Sequence, residues 1–157
     1  MPRKSAGLVV YHYFDSVLKV LLVHPGGPFF INKDEGVWSI PKGEYAEGED
    51  PLTVARREFN EETGNVISSS SFIELTPVKI KSGKVISAWA VPGYFEQPFI
   101  SSNLFSMEWP YKSGKWQQFY ETDGAAYFTI EEAREKMNAG QIPLLNELME
   151  KLNIKNR

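Results

Sequence analysis

Residues 43–64, which read GEYAEGEDPLTVARREFNEETG, decide the fold. The second half of this stretch predicts an α-helix that begins at Pro51. Proline suits the first helical position because the N–H that it lacks would have no partner within the helix there. Asp50 is the predicted N-cap, since its carboxylate can accept hydrogen bonds from the first turn. The helix is expected to run to about Thr63 and to meet Gly64, which readily adopts the left-handed cap conformation.

Acidic side chains are concentrated on one side of this predicted helix. At about 100° per residue, Glu58, Glu61 and Glu62 fall within an arc of roughly 100° beside the apolar face. Like charges three or four residues apart destabilise a helix by about 0.2–0.5 kcal/mol per pair. A hard divalent cation such as Mg²⁺ would remove this cost, because it binds carboxylate oxygens. Taken alone, the helix also fits an ordinary solvated acidic face.

The loop before the helix adds a fixed spacing that the helix alone does not provide. The specified positions are Gly43, Glu49, Arg57, Glu58, Glu61, Glu62 and Gly64. This pattern, over residues 43–65, resembles the Nudix box. Phe59 and Asn65 stand where aliphatic residues are usual in that pattern, and both are packing positions. The chemistry of the box is therefore retained.

The resemblance implies an α/β fold, with an α/β/α sandwich around a mixed β-sheet. It also implies hydrolysis of a nucleoside diphosphate linked to another group X, by water and with Mg²⁺ or Mn²⁺. The implied metal ligands are Glu58, Glu61, Glu62 and the carbonyl of Gly43. A diphosphate repels incoming hydroxide, and bound cations neutralise that charge and lower the pKa of bound water.

The resemblance leaves the general base open. Glu58 is the candidate within the box, and the candidates from the later region of the chain are Glu108, Glu121 and Asp123. Arg57 is expected to pair with Glu49 or Glu61 and to hold the loop against the helix. The predicted catalytic set is Glu58, Arg57, Glu61 and Glu108. Each later acid also fits an ordinary solvated surface residue.

Residues 38–43, which read WSIPKG, precede the helix region. The arrangement of Trp, two residues and Pro-Lys-Gly resembles diadenosine polyphosphate hydrolases and diphosphoinositol polyphosphate hydrolases. Lys42 is predicted to meet a phosphate as a point charge, although a solvated loop lysine fits equally well. Trp38 is a candidate for base stacking, with a place in the core as the favoured alternative.

Two further residues complete the predicted substrate-binding set. Lys33 lies in a breaker-rich stretch, residues 25–36, which we interpret as a mobile surface loop; it fits either a lid or a plain variable loop. Tyr94 belongs to a group of aromatic and basic residues suited to stacking a base and steering phosphate. The other members of this group are Tyr111, Lys112, Lys115, Trp116 and Tyr120. His12 and His24 are predicted to be packed or hydrogen-bonded.

Alternation and turn signals predict the remaining elements. A β-hairpin is expected over residues 6–14 and 17–23, a short strand over 38–40 that Pro41 stops, and two strands over 72–81 and 84–96 joined at Ser82-Gly83. Pro92-Gly93 is expected to form a bulge. Residues 97–124 predict loops with one short strand near 104–109. A strand over 125–129 and helices over 130–138 and 144–152 complete the chain.

Composition narrows the class of protein. The 157 residues suffice for one core, so a single domain over 1–157 is expected. A net charge of −3 provides no overall basic field, so binding of long nucleic acid is not expected. Cysteine is absent, which fits a reducing compartment, and no signal peptide or membrane span is evident; we expect a cytoplasmic monomer or homodimer.

The sequence thus predicts a metal-dependent Nudix pyrophosphohydrolase whose partner is a small nucleotide. The leading substrate is a dinucleoside polyphosphate such as diadenosine tetraphosphate. Nucleoside triphosphates, diphosphoinositol polyphosphates and 5′-triphosphate RNA ends are alternatives. A catalytically silent, nucleotide-sensing domain is a further alternative, and it is disfavoured because three repelling glutamates are costly without a metal. The least favoured alternative is an α/β domain whose glutamates lie on the surface without a functional role.

Overall fold

The computed structural model describes residues 3–153. Its strands are β1 (Lys4–Phe14), β2 (Val17–Pro25), β3 (Lys42–Glu44), β4 (Ile73–Glu74), β5 (Val78–Lys79), β6 (Val85–Pro92), β7 (Leu104–Glu108), β8 (Trp116–Tyr120) and β9 (Thr122–Thr129). Its helices are α1 (Pro51–Thr63), α2 (Ile130–Lys136) and α3 (Ile142–Lys151), with a 3₁₀ turn at Ala139–Gln141. None of the helices in this part of the chain is long and apolar enough to cross a membrane.

Seven strands form one mixed sheet in the order β4-β6-β1-β2-β9. Strand β1 pairs in parallel with β6 and antiparallel with β2, and the remaining pairs are antiparallel. The short strands β3 and β5 join the sheet beside β1 and β6. Strands β7 and β8 form a separate two-stranded sheet. Strand β1 is buried along most of its length, as its continuous apolar run predicts.

Helices cover both faces of the large sheet. Phe59 of α1 packs with Leu8 and Val10 of β1 on one face. On the other face, Val9 of β1 packs with Leu144 of α3 in a second cluster. These two cores form the predicted α/β/α sandwich around a mixed sheet, so the fold prediction is confirmed.

Local signals predicted the first hairpin and the first helix correctly. Asp15 and Ser16 have positive φ angles of 48° and 69°, as a tight two-residue turn between antiparallel strands requires. Helix α1 is capped by Asp50, whose carboxylate accepts from Thr53 N–H at 3.0 Å. Gly64 ends the helix with φ 83°.

The segment around Pro41 differs from the prediction. Residues 38–40 form isolated bridges and no regular strand, and a three-residue strand, β3, follows Pro41. Proline has no N–H, but the Pro41 carbonyl accepts from Leu8 N–H at 3.1 Å, so the chain continues along β1. The predicted strand over 38–40 was therefore wrong, and the strand β3 after Pro41, which places Gly43 beside β1, was not predicted.

Three later predictions were partly wrong. The predicted strand over 72–81 is two short strands separated around Pro77. The predicted bulge at Pro92-Gly93 does not form; β6 ends at Pro92 in regular register, and Gly93 N–H donates to the Tyr11 carbonyl. Strand β7 was predicted, but its partner β8 was not, because its alternation is masked by polar residues.

Candidate active site

The Glu58 carboxylate lies directly against the backbone of Gly43. Strand β3 pairs with β1 so that Gly43 faces Ala6, on the side of the sheet covered by α1. A Cβ atom at position 43 would overlap the Glu58 carboxyl group. Any other residue at position 43 would therefore displace the Glu58 carboxyl group from its place against the backbone.

Glu58 and Glu61 face each other on successive turns of α1. The Glu58 side chain is only 13% exposed. Together, this burial and the neighbouring charge of Glu61 raise the pKa of Glu58 to about 7, against the opposing effect of Arg57. Two carboxyl groups in this arrangement favour either a shared proton or a bound cation.

Glu62 is the second carboxyl group with a strongly raised pKa. Burial raises the pKa of Glu62 to about 8, while the positive charge of Lys42 opposes this effect. The Lys42 backbone N–H donates to Glu62 Oε1 at 3.3 Å. Burial in turn lowers the pKa of the Lys42 ammonium group, with the charge of Glu62 opposing it. Lys42 therefore interacts electrostatically with a box glutamate.

Arg57 makes the predicted ion pairs. Its guanidinium lies 3.3 Å from Glu49 Oε2, 3.8 Å from Glu58 Oε1 and 3.9 Å from Glu61 Oε1. Glu49 also accepts from Ala46 N–H at 2.9 Å, which closes the loop before α1. One arginine thus links this loop to two carboxylates of the helix.

The C-terminal end of α1 is fastened by segments far away in the sequence. The last four carbonyls of a helix have no partner within it. Here Gly64 N–H donates to the Asn60 carbonyl and Asn103 N–H to the Glu61 carbonyl, at 2.8 and 3.0 Å. Buried Thr122 donates through Oγ1 to the Glu62 carbonyl at 2.5 Å. The Thr63 carbonyl accepts from the N–H groups of residues 100 and 101.

This connection brings Glu121 beside the acidic side chains of α1. Burial raises the pKa of Glu121, and the charge of Glu61 raises it further. The charge of Glu121 also raises the pKa values of Glu58 and Glu62. We call Glu58, Glu61, Glu62 and Glu121 the acidic cluster.

The other two later acids are engaged elsewhere. Glu108 accepts from the N–H groups of Lys112 and Gly114 at 3.2 and 3.0 Å, within the turn between β7 and β8. Asp123 contacts the His24 ring, with Oδ1 2.6 Å from Nδ1. The structure therefore brings Glu121, and not Glu108, to the glutamates of α1.

Trp38 and Lys33 belong to the attachment of the loop over residues 25–36. The Trp38 indole N–H donates to Asp34 at 2.8 Å, and its ring packs against Phe128. The Lys33 ammonium group lies over the Phe30 ring, 5.6 Å from its centroid. These contacts give both residues structural partners, and the loop is attached to the fold near Asp34.

Tyr94 lies in an aromatic group at the far end of β1. Its ring contacts His12 and Phe14, with centroids 5.0 and 5.7 Å away, and stacks on Tyr127. His12 is six residues along β1 from Ala6, the partner of Gly43, which is about 20 Å at ~3.3 Å per residue. The structure does not bring Tyr94 to the acidic cluster.

A cavity of about 560 Å³ opens where β3 leads into α1. Its lining includes the side chains of Arg3, Lys4, Glu44 and Tyr45. Glu44 and Tyr45 directly follow Gly43 in the chain, so the cavity begins beside the glycine that the Glu58 carboxylate contacts. It combines cationic, carboxylate and aromatic groups.

The donors of the acidic cluster fit a divalent cation in chemistry. Within residues 3–153, no three carboxylate or imidazole groups already converge on a common point at metal-binding distances. Burial nevertheless raises the pKa values of Glu58 and Glu62 despite the nearby charges of Arg57 and Lys42, so the ionised carboxylates would gain from a further positive charge. A hard cation with oxygen ligands supplies that charge, and the close approach to Gly43 leaves its backbone open to the same region.

Comparison with known proteins agrees with the fold. The sequence matches the family model of the NUDIX domain over residues 1–148. No curated protein sequence is significantly similar to the chain. The NUDIX domain of Shewanella oneidensis NrtR, solved with ADP ribose, is similar with a TM-score of 0.66 and 18% identity, over 97% of this chain and 89% of that chain. The Ap4A hydrolase of C. elegans is similar with a TM-score of 0.63 and 20% identity, over 95% and 98%.

Proposed function

The chain belongs to the NUDIX domain family and is a Nudix pyrophosphohydrolase, and on this basis we propose that it hydrolyses dinucleoside polyphosphates such as diadenosine tetraphosphate. The observation that carries the proposal is the acidic cluster, in which three glutamates of α1 and Glu121, just before β9, lie close enough for their charges to raise the pKa values of Glu58, Glu62 and Glu121. Such a cluster suits a substrate that arrives with divalent cations bound to its phosphates.

The proposed cofactor is Mg²⁺ or Mn²⁺. Its ligands would be Glu58, Glu61, Glu62 and the carbonyl of Gly43. When bound, the cation neutralises phosphate oxygens and lowers the pKa of a bound water. Arg57 keeps two of these carboxylates in place through its ion pairs, so it acts through them and does not contact substrate.

We propose Glu121 as the general base. A base must lie within reach of the attacking water and works best when its pKa is close to the working pH. Burial and the charge of Glu61 raise the pKa of Glu121 in that direction. Glu58 faces Gly43 and suits a metal ligand better, and Glu108 is bonded within its own hairpin turn.

The cavity beside β3 is the proposed place for one nucleoside of the substrate. Its volume of about 560 Å³ lies in the range of small-molecule sites. Arg3 and Lys4 can attract phosphate, and the carboxylate of Glu44 can accept from ribose hydroxyls. Lys42 would act indirectly, since its charge interacts with Glu62.

A similarity in fold and a similarity in sequence both favour this substrate. The C. elegans relative is an Ap4A hydrolase, and residues 38–43 resemble the corresponding segment of such enzymes. Nucleoside triphosphates and diphosphoinositol polyphosphates remain rival substrates. A silent nucleotide-sensing role is the second candidate function, because the NrtR domain was solved with ADP ribose; the complete set of box glutamates argues against it.

The test is turnover of a substrate panel with Mg²⁺ and, in parallel, Mn²⁺. The panel contains diadenosine polyphosphates, nucleoside triphosphates, nucleotide sugars and diphosphoinositol phosphates, with products identified by chromatography. We expect cleavage of diadenosine tetraphosphate to ATP and AMP, and loss of this activity in Glu62→Gln. Metal binding without turnover of any compound in the panel would contradict the proposal and favour the sensing role.

Two variants test the assignment of Glu121 as the general base. Glu121→Gln should lower kcat by about 100-fold or more, in line with the effect of removing a general base. Glu108→Gln is the matched control and should retain kcat, because its carboxylate serves the hairpin turn. If Glu108→Gln lowered kcat and Glu121→Gln retained it, Glu108 would be the general base instead.

A further inference from the structure

His24, at the end of β2, is buried and bridges two parts of the chain. It is only 8% exposed. Its Nδ1 atom lies 2.6 Å from Asp123 Oδ1, at the start of β9, and its Nε2 atom lies 2.6 Å from the Lys33 carbonyl. The ring also packs edge-on against Trp38, with centroids 5.1 Å apart. Both polar atoms of a buried imidazole are therefore used, each toward a different segment.

The chemistry of the two acceptors defines what the ring does. A carbonyl oxygen can only accept, so Nε2 of His24 carries a proton and donates to Lys33. On the other side of the ring, Nδ1 lies within hydrogen-bond distance of the Asp123 carboxylate. An apolar ring of similar size would fill the space but would lose both hydrogen bonds.

The same region holds the backbone of Glu121 from both sides. Gly26 N–H donates to the Glu121 carbonyl at 2.9 Å, and a Cβ at position 26 would overlap the carbonyl of Tyr120. Thr122 is bonded to α1 through the Glu62 carbonyl. The pairing of β2 with β9 is irregular between His24 and Pro25. The segment that carries Glu121 is thus held by side chains and by the loop at a point where the pairing of the sheet is irregular.

We propose that His24 is a positioning residue that holds Glu121 in the acidic cluster through its bond to Asp123, whereas its bond to Lys33 only attaches the loop over residues 25–33. The proposal rests on the role of Glu121 as general base. Its geometric basis is that Asp123 is two residues from Glu121 and that Gly26, two residues after His24, is bonded to the Glu121 carbonyl. A displacement of about 1 Å at a reacting group can lower a rate by about 100-fold.

The far end of the loop has an independent attachment. Asp34 accepts from the Trp38 indole and pairs with the Lys136 ammonium group of α2. Loss of His24 should therefore release the Glu121 segment without releasing Asp34. Lys136→Met provides the matched control, because it removes an attachment of the same loop that has no connection to Asp123.

Two conservative substitutions separate the two bonds of the ring. The amide nitrogen of His24→Asn can take the place of Nδ1 and keep the bond to Asp123. The amide nitrogen of His24→Gln can take the place of Nε2 and keep the bond to the Lys33 carbonyl. We expect His24→Gln to lower kcat by about 10-fold with KM nearly unchanged, and His24→Asn and Lys136→Met to retain kcat within about 2-fold.

A double-mutant cycle distinguishes positioning from general stability. In the Glu121→Gln background, His24→Gln should cause no further loss of kcat, because the group that it positions is already absent. Equal losses of kcat in both backgrounds would overturn the proposal. Equal kcat values for His24→Gln and the wild type would also overturn it.

Hydrogen exchange provides a readout that does not depend on activity. The Glu121 N–H donates to the Asn103 carbonyl, so its exchange rate reports on the segment. We expect faster exchange at this amide in His24→Gln than in His24→Asn, and unchanged exchange would overturn the proposal even if the wild type is inactive on every substrate tested. Retained kcat in Glu121→Gln, with the expected exchange result, would instead reject the base assignment and leave the fastening of the segment supported.

Discussion

The two ends of α1 are closed in opposite ways. At the N-terminal end, Asp50 accepts from Thr53 and Glu49 pairs with Arg57, so every partner lies within eight residues. At the C-terminal end, the Glu61 and Glu62 carbonyls accept from Asn103 and from Thr122, which is 60 residues away. The first end is specified by local sequence, whereas the second exists only once the whole chain has folded. The acidic cluster lies at the second end.

The largest difference between the two ends is expected in their response to pH. Burial raises the pKa of Glu62 to about 8, so this group binds more protons in the folded protein than in the unfolded one between about pH 4.5 and pH 8. Its contribution to stability is therefore present at low pH and is lost as the pH rises through this window. Hydrogen bonds lower the pKa values of Glu49 and Asp50, so their contribution is lost as the solution is acidified.

We expect metal-free Glu62→Gln to be more stable than the wild type at pH 9, by up to about 5 kcal/mol, with the difference vanishing toward pH 4. Urea unfolding with a chelator at a series of pH values measures this. Saturating Mg²⁺ should reverse the ranking at pH 8, because only the wild type retains the full set of ligands. A constant difference at all pH values would contradict the burial of an ionisable group at this position.

The next largest effect is expected at the glycine that ends the helix. Gly64→Ala should destabilise the fold by about 2–3 kcal/mol, because φ is 83° and the new Cβ would lie 2.8 Å from Ser101 Oγ and 2.9 Å from Ile100 Cβ. Gly48→Ala is the matched control in the loop before α1, where φ is 93° and no atom lies within 4 Å of the new Cβ. Both variants carry backbone strain, so equal thermal unfolding midpoints would show that the distant segment does not press against the helix end.

A smaller effect on stability is expected at two threonines, one bonded to a residue far away in the sequence and one bonded to a near neighbour. Thr122→Val should cost about 1–2 kcal/mol, because it leaves the Glu62 carbonyl without its donor in a buried place. Thr53→Val removes an exposed bond to Asp50 at the other end and should change stability by no more than about 0.5 kcal/mol. Chemical denaturation of the two variants measures this difference in stability. An equal loss of stability in both variants would show that the two ends of α1 do not differ in this way.

The smallest effect on activity is expected at the N-cap. Asp50→Ala removes the acceptor for both Thr53 N–H and Thr53 Oγ1, and it lowers stability as the loss of an N-cap does. We expect a thermal midpoint slightly below that of the wild type, with kcat unchanged. A loss of activity in this variant would mean that the local end of α1 positions the acidic cluster as strongly as the distant end does.

Local rules predicted the parts of the molecule that local forces specify. Asp50, Pro51 and Gly64 marked the helix correctly, and the Asp15-Ser16 turn marked the first hairpin. The spacing of the box glutamates, together with its resemblance to the Nudix pattern, indicated the acidic side of α1. These features depend on neighbours within a few residues, so a single sequence contains the information.

Long-range contacts explain what the sequence did not reveal. Nothing near Thr122 or Asn103 in the sequence indicates that they bond to α1, and β8 was missed because its pairing with β7 depends on the placement of both strands. Glu108 and Glu121 look equivalent as isolated acids in an irregular region. Only the fastening of residues 100–103 and Thr122 to the helix end distinguishes them.

The bonds between α1 and residues 100–103 limit how the protein can diversify. In many enzymes a surface hairpin can be exchanged to alter specificity, because the scaffold does not depend on it. Here the segment that leads into the β7–β8 hairpin also completes the C-terminal end of α1. A hairpin grafted into this protein without these donors would therefore disturb the end of α1, so a transplanted segment must include residues 100–103 and Thr122 at the start of β9.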